Sequence, residues 1–368
     1  MKKKVAVLAN NDVGLYNFRK ELLKRLVDED YKVYLLLPYG ERVEKLKEMG
    51  CIYYEVPIDR RGTNPVKDLK LLVRFRKLLS EIKPDIVLTY TIKPNIYGGI
   101  AARTLKMPYI ANITGLGTAM EKPGMLQLLT RWLYCMGLKR AQCVFCQNQR
   151  NMEFIQEKKI AGKSLKLLPG SGVNLQEFAL QEYPIDSSIK FVFVARVMKE
   201  KGADEFLQAA EIIRKKYPQT EFHICGFCEE DYIERLEELQ NKEVVHYHGM
   251  VQNVKDILRE MHCVVLPSYH EGMSNVLLES AATGRPLIAT DIPGCRECIQ
   301  NEISGYLVAP RNVEDLTGKI EKFLQIAWDN KKKMGLEARR WVERYFDRQQ
   351  VIEAYMSEIK GEIGNGKL

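Results

Sequence analysis

The sequence lacks any apolar run approaching the roughly 18–20 residues that cross a bilayer, so no membrane-spanning helix is expected in its 368 residues. It also lacks an export signal. The head MKKKVAVLANND is basic, but its apolar run covers only Val5–Ala9 and no small-residue cleavage site follows. The expectation is a cytoplasmic chain whose first buried strand is Val5–Ala9. No G-x-G-x-x-G follows that strand, which argues against a nicotinamide or flavin cofactor; GLGTAM (115–120) lacks the third glycine. Histidine is absent before His223, and His223, His246, His248, His262 and His270 all lie in the second half. Imidazole acid–base chemistry from the first half is thereby excluded. The one literal D-x-D, Asp28-Glu29-Asp30, falls between the first helix and the second strand. That is the wrong end of a sheet for a ligand, so it reads as a solvated turn and no metal is expected there. Short-period repeats, low-complexity tracts and nucleic-acid-binding motifs are missing too, so no nucleic-acid partner is expected.

Nine cysteines are an odd number in a chain without an export signal, which argues for reduced thiols. The C-x-x-C spacings Cys143–Cys146, Cys225–Cys228 and Cys295–Cys298 would have to converge as four ligands to hold zinc. Strand alternation would point Cys143 and Cys146, in the apolar run CVFC, to opposite faces. Small buried side chains are the expectation.

What is present is charge, unevenly placed. The net charge is +8, but residues 1–180 carry 31 Lys+Arg against 17 Asp+Glu, and the remainder 25 against 31. A basic half suits an anionic surface, such as a lipid headgroup layer, an anionic lipid-linked substrate or nucleic acid; a basic surface serving solubility alone is the plainer alternative. RRGTNPVKDLKLLVRFRKLLSEIK sets Lys67, Lys70, Arg74 and Lys77 at helical spacing among leucines, and KPGMLQLLTRWLYCMGLKRA adds Trp132. Such helices can lie in a membrane interface or simply pack on a sheet.

Short β-rich apolar runs alternate with longer amphipathic ones. Candidate strands are 5–10, 31–38, 51–57, 85–91, 109–115 and 143–148, and the pattern restarts with 190–196, 220–226, 244–250, 263–269, 285–291 and 305–310. Helical patterns fall between them, as at 15–29 and 66–82. Strands apolar throughout and separated by helices predict parallel sheets covered on both faces. The fold class is therefore α/β, with two doubly wound, Rossmann-like domains joined near 175–188, where QEYPIDSS breaks the pattern. The tail GEIGNGKL reads as frayed. Ligands of such folds bind at the carboxyl ends of the strands, which two facing domains would turn into an interdomain cleft.

That rule ranks the motifs. Gly14, after the first strand, lets backbone approach a ligand at a helix start. Arg196 and Lys201 follow the strand KFVFVAR and suit a diphosphate. The strand CVVLPSY runs directly into His270 and Glu271. Gly272, Met273 and Ser274 then turn the chain, Asn275 can cap the helix that follows, and Gly284 and Pro286 close it. Amides of 272–276 could hold phosphate or sugar oxygens. Glu279 lies about one turn inside the helix and Glu271 just outside it.

This E-x7-E after a strand, with the preceding R-x4-K turn, resembles the retaining nucleotide-sugar glycosyltransferases of family 4, which have the GT-B fold. The matching stretches are VARVMKEKGADEFLQAA, LPSYHEGMSNVLLESAATGRPLIATDIPGCRECI and GYLVAP. YTIKPNIYGGIAAR and ITGLGTAM further resemble bacterial transferases that extend undecaprenyl-diphosphate-linked sugars, as in capsule and O-antigen synthesis. The resemblance implies an N-terminal acceptor and membrane-facing domain over 1–180, a donor domain over 181–344, and a last helix, about 345–362, crossing back to the first. It implies that Arg196 and Lys201 neutralise the donor diphosphate, Glu279 accepts from the ribose hydroxyls, and Glu271 holds the donor sugar. Backbone at Gly14 and at Gly272, Met273, Ser274, Asn275 and Val276 would contact sugar and phosphates. The base would pack near Gly226 and the Met250–Val251 turn. Lys93, Asn95, Asn112 and Thr114 are the acceptor-side candidates. Asn112 or Thr114 stands where many family members place a histidine, so a protein base there is not expected. A leaving-phosphate oxygen would instead take the acceptor proton.

The implied activity is transfer of a hexose or N-acetylhexosamine from a UDP-sugar to a lipid-diphosphate-linked saccharide. It would run without metal or cofactor, on the inner face of the cytoplasmic membrane. The competing readings are a GT-B nucleotide-sugar epimerase, which would want histidines around the sugar, and a non-catalytic sugar-binding protein, which would not need Arg196 and Lys201.

Overall fold

The computed structural model describes residues 2–60, 62, 64–115, 124–161, 164–185, 188–228, 232–251 and 253–365. The chain divides into two compact units, 1–171 with 350–368, and 172–349.

In the first unit, β1 (Lys4–Leu8), α1 (Asp12–Asp28), β2 (Lys32–Leu37), α2 (Val43–Glu48), β3 (Ile52–Glu55), α3 (Pro65–Ile82) and β4 (Ile86–Tyr90) alternate. They are followed by α4 (Gly99–Thr104), β5 (Tyr109–Ile113), α5 (Met125–Leu138), β6 (Cys143–Cys146), α6 (Gln149–Glu157) and β7 (Leu165–Leu167). The seven strands form one parallel sheet in the order β3-β2-β1-β4-β5-β6-β7. Both faces are covered, which is why β4 reads IVLTY with every residue buried. Helix α3 shows how local signals set the elements. Asn64 accepts from the amides of Val66 and Lys67, Pro65 supplies a preset φ, and Lys83 ends the helix left-handed. Its buried face, Leu71, Phe75, Leu78, Leu79 and Ile82, has helical spacing. Cys143 and Cys146 pack in different clusters on opposite faces of the sheet, and burial pushes both thiols up to about 12. They are small core side chains, as their spacing predicted.

The second unit contains β8 (Ile189–Val194), α7 (Ala203–Lys216), β9 (Thr220–Cys225), α8 (Ile233–Asn241), β10 (His246–Tyr247), α9 (Val254–Glu260) and β11 (Cys263–Leu266). It continues with α10 (Asn275–Ala282), β12 (Leu287–Thr290), β13 (Gly305–Val308), α11 (Val313–Gln325) and α12 (Trp328–Tyr345). Its six parallel strands run β10-β9-β8-β11-β12-β13. Phe191 stacks on Phe222 at 5.1 Å between ring centroids, and Phe193 and Phe206 extend this aromatic core. Helix α13 (Arg348–Asn365) closes the chain. From residue 350 it belongs to the first unit, where Val351, Ile352, Tyr355, Met356, Ile359 and Ile363 join the core beside β1 and β4.

Three expectations change. The break between units falls at 171/172, because Val173 bridges to Asp347 and Arg348 donates to the Gly172 carbonyl. Within the stretch near 175–188, residues 182–184 are not a free linker. Tyr183 is buried with its hydroxyl on the His262 carbonyl, Arg285 donates to the Glu182 carbonyl, and the Trp328 indole to the Pro184 carbonyl. The carbonyls of Glu182 and Pro184 accept bonds from side chains of their own unit. Third, the tail is helical through Asn365 rather than frayed from 361, with Ile363 anchoring it. Residues 116–120 of GLGTAM lie outside the described residues. Among the described residues, no helix is long and apolar enough to cross a membrane.

Candidate functional site

In the second sheet the strand order reverses between β8 and β11. The loops leaving these neighbouring strands, 195–202 and 267–274, therefore lie side by side at the topological switch point, where open α/β sheets bind ligands. The first loop carries Arg196 and Lys201, and the second carries Glu271.

The structure joins the two loops directly. Lys201 Nζ lies 2.6 Å from Glu271 Oε1, with side chains 18% and 13% exposed. Ser268 Oγ donates to the same carboxylate oxygen at 2.9 Å. The Tyr269 amide donates to the Glu200 carbonyl at 2.9 Å, and its hydroxyl to Glu205 Oε1 at 2.6 Å. Gly202 makes the approach possible. Its φ is +76°, and a Cβ there would stand 2.1 Å from the Pro267 carbonyl oxygen. Gly226, after β9, is equally constrained. A Cβ would meet the Ala195 carbonyl oxygen at 1.7 Å, and its amide donates to the Gly249 carbonyl at 2.7 Å. That ties the 249–251 turn, with exposed Met250 and half-buried Val251, to the end of β9.

Helix α10 starts at Asn275, with Ser274 at the N-cap position and no side-chain cap. Asn275 is thus the first helical residue rather than the cap. Without a side chain on its first turn, the amides of Asn275, Val276 and Leu277 have no intrahelical acceptor. The Ser274 amide is not among the available donors, because it is bonded to the Gly294 carbonyl at 2.8 Å. Glu279 is half-buried on the second turn, and Gly284, at φ +79°, ends the helix. Gly272 and buried Met273 complete the turn, with the Cys298 thiol 3.7 Å from Met273 Sδ.

Gly294, Ser268 and the Tyr269–Glu205 pair were not read from sequence. Gly294 packs under the site, since a Cβ there would meet the Glu271 carbonyl oxygen at 2.7 Å, with φ at +89°. Its P-G dipeptide after a strand was the available signal. Nothing in the sequence marked Ser268 or Glu205.

The first-unit candidates are engaged internally. The Gly14 amide donates to Asn11 Oδ1 at 2.6 Å as part of the α1 cap, so it is not a free phosphate donor. Asn95 and Asn112 are 1% and 0% exposed. Thr89 Oγ1 donates to Asn95 Oδ1, Asn95 Nδ2 donates to the Asn112 carbonyl, and Gln147 reaches Asn112 Oδ1. These bonds tie Asn95, in the helical turn 94–98 after β4, to Asn112 on β5. Lys93 pairs with Asp68 at 2.6 Å, and Tyr97 donates to the same carboxylate. Thr114 is half-buried just past β5. Asp30 sits in the solvated turn after α1 at φ +67°.

Two Rossmann-like units, with an arginine–lysine turn and two glutamates at the switch point of the second, define a glycosyltransferase of the GT-B fold. The family model described as glycosyl transferase 4-like matches residues 4–148, and that described as glycosyl transferases group 1 matches residues 188–325. Both units thus carry a glycosyltransferase domain, and the chain is a glycosyltransferase. It is 27% identical over 339 residues to an N,N'-diacetylbacillosaminyl-diphospho-undecaprenol alpha-1,3-N-acetylgalactosaminyltransferase of Campylobacter jejuni, covering 88% of this chain and 89% of that one. It is 28% identical over 320 residues to an Escherichia coli UDP-Gal:alpha-D-GlcNAc-diphosphoundecaprenol alpha-1,3-galactosyltransferase, covering 82% of each. Among solved structures, a glycosyltransferase of Rickettsia africae superposes with a TM-score of 0.82 at 18% identity over 99% of both chains. An Anabaena protein solved with UDP and glucose gives 0.78 at 16% identity, over 96% of this chain and 100% of that one.

Proposed function

We propose that this glycosyltransferase moves a hexose or N-acetylhexosamine from a UDP-sugar to a saccharide carried on a lipid diphosphate, with retention and without a metal or cofactor. The observation that carries the reading is the meeting of Lys201 and Glu271 at the switch point, next to a helix start whose first amides have no intrahelical acceptor. In this reading the donor diphosphate takes Lys201, Arg196 and the amides of Asn275 and Val276. Glu271 then turns to the sugar hydroxyls and Glu279 to the ribose. Each fixed donor aimed at the leaving diphosphate contributes about 3–4 kcal/mol, judged by oxyanion-hole donors. The relatives from C. jejuni and E. coli, both named for undecaprenol-diphosphate acceptors, support the acceptor class.

A surface of the first unit supports docking at the inner face of an anionic membrane. Helix α3 exposes Val66, Leu69 and Val73 among the exposed cations Lys67, Lys70, Arg74 and Lys77. Helix α5 exposes Met125, Leu128, Leu129 and Trp132. Beside α3 lies a groove of about 730 Å³ lined by Lys67, Lys70 and Arg74, with Asp59 and Asp68, roomy enough for a charged head group.

The test is incubation with a panel of UDP- and GDP-sugars and a short-chain lipid-diphosphate saccharide, with the product's anomeric configuration read by NMR. Transfer from one UDP-sugar with retained configuration supports the reading. Inversion, or hydrolysis with no acceptor product, overturns it.

A further inference from the structure

The second unit carries a cluster of metal-ligating side chains that the donor site does not use. Glu221 and His223 are two residues apart on β9, so their side chains share one face of the sheet. His246, on the edge strand β10, is the register partner of His223. One ligand atom from each of Glu221, His223 and His246 lies within 4.8 Å of the others. His223 Nε2 is 3.2 Å from Glu221 Oε2, and His223 Nδ1 is 3.0 Å from His248 Nε2. The rings of His246 and His248 both stack on His223, at centroid distances of 4.9 and 5.3 Å.

We propose that Glu221, His223 and His246 bind one divalent transition-metal ion of the zinc class at the β9–β10 edge, with His248 as a positioning residue. Two imidazoles and one carboxylate are a donor set of intermediate softness that suits Zn²⁺ or Co²⁺ and leaves positions open for water. Closing the three atoms onto one ion needs shifts of about 1 Å, since N and O ligands of tetrahedral zinc stand roughly 3.3–3.5 Å apart at 2.0–2.1 Å from the metal. His246 is exposed and can supply that movement by rotating its ring. Proton placement is consistent in both states. Without a cation, His248 Nε2–H donates to His223 Nδ1, and His223 Nε2–H donates to Glu221. With the ion bound, Nε2 of His223 is a ligand and its proton moves to Nδ1, which then donates to His248 Nε2. A metal-bound histidine almost always donates its second ring N–H in this way.

The surroundings set a limit on affinity. Lys190 is the β8 register partner of Glu221. A cation beside the carboxylate weakens metal binding, so replacing Lys190 should tighten it. β10 is only two residues long and leads into the Gly249–Val251 turn. An ion linking β10 to β9 would therefore fasten that turn. The metal is assigned to this edge, not to the donor diphosphate, and the assignment stands whether or not the transfer reaction proposed above is right.

The experiment is titration of the full chain, free of any histidine tag, with Co²⁺ by visible absorption and with Zn²⁺ by calorimetry. One ion per chain is expected, with d–d bands but no thiolate charge-transfer band. His246→Ala should lose affinity by more than tenfold, and Glu221→Gln likewise. His248→Ala should weaken binding about tenfold or more, because His223 loses the ring partner that orients it, and Lys190→Met should strengthen it. Cys228→Ser should change nothing. Because His246 and His248 are exposed edge residues, their variants should fold, which circular dichroism checks. Binding unchanged in both His246→Ala and Glu221→Gln, a thiolate band lost in Cys228→Ser, or no ion bound at millimolar Co²⁺ would each overturn the assignment.

Discussion

Lys201 and Glu271, seventy residues apart, meet at 2.6 Å where the loops after β8 and β11 run together. Each satisfies the other's charge in a mostly enclosed position, with Ser268 adding a second donor to the carboxylate. A ligand carrying both a diphosphate and a hydroxylated ring would exchange this pair for one contact to each residue. The pair therefore keeps two charges ready without leaving either unpaired, which inside a partly desolvated site would cost several kcal/mol.

Breaking the pair from either side should be costly in different ways. Lys201→Met should cut kcat/KM by about 10²–10³-fold through loss of diphosphate stabilisation. Glu271→Gln should do the same while also leaving Lys201 with a weaker partner, lowering stability by about 1–3 kcal/mol in urea unfolding. The double variant should lose less than the sum of the two. Additive losses would show that the two residues act independently.

Gly202 is a structural test of the loop junction. Alanine there would strain a left-handed backbone and place Cβ against the Pro267 carbonyl. Gly202→Ala should lower stability by about 1–3 kcal/mol and reduce activity in proportion to the loop shift. Alanine at Gly318, whose Cβ would meet nothing within 4 Å, should leave activity unchanged and stability equal or higher, since it sits within α11.

Acid should destabilise the second unit through His223. Burial first, then the charges of His246 and His248, lower its pKa from 6.5 to about 4, with Glu221 opposing. The unfolded chain therefore binds a proton that the folded chain refuses between those two values. The stability contributed by neutral His223 is complete above pH 6.5 and lost as pH falls from there toward 4. About 3–4 kcal/mol is at stake at roughly 1.4 kcal/mol per pH unit. The Tm should fall across this window, and His223→Gln should flatten that part of the profile. An identical slope in the variant would assign the acid sensitivity elsewhere.

Membrane docking through α3 and α5 predicts cosedimentation with vesicles containing anionic lipid at low salt. Adding salt should release the protein, because screening shortens the reach of surface charge. Lys70→Glu with Arg74→Glu should abolish binding to anionic vesicles, and Trp132→Ser should weaken it at any salt. Negligible sedimentation of the unaltered protein with anionic vesicles at low salt would exclude this surface as the docking face.

The fold was legible because β1, β4, β8 and β11 are buried on both faces, and a doubly covered parallel strand writes itself as an unbroken apolar run. β7 was not legible: Leu165–Leu167 is a three-residue edge strand with half-exposed side chains. Arg196, Lys201 and Glu271 were legible because they lie in the loops that follow such runs, and Glu279 because it lies about one turn into the helix after the second loop. Hydrogen bonds between loops carry no local pattern. Hence the Lys201–Glu271 pairing, the Tyr269 tie to Glu200 and Glu205, and the spending of the Ser274 amide on Gly294 appear only in three dimensions. The bonds that tie Asn95 and Asn112 into the first unit are of the same kind. A polar residue near a strand end reads the same whether it faces a ligand or braces the sheet.

The most direct test of the central claim is calorimetric titration of UDP into the unaltered protein and into Lys201→Met and Glu279→Ala variants, each verified as folded. The account predicts that UDP binds the unaltered protein and that each variant weakens it by at least tenfold, Lys201→Met with a smaller salt dependence because a phosphate contact is gone. UDP binding of unchanged affinity in both variants would contradict the assignment of the β8 and β11 loops as the donor site.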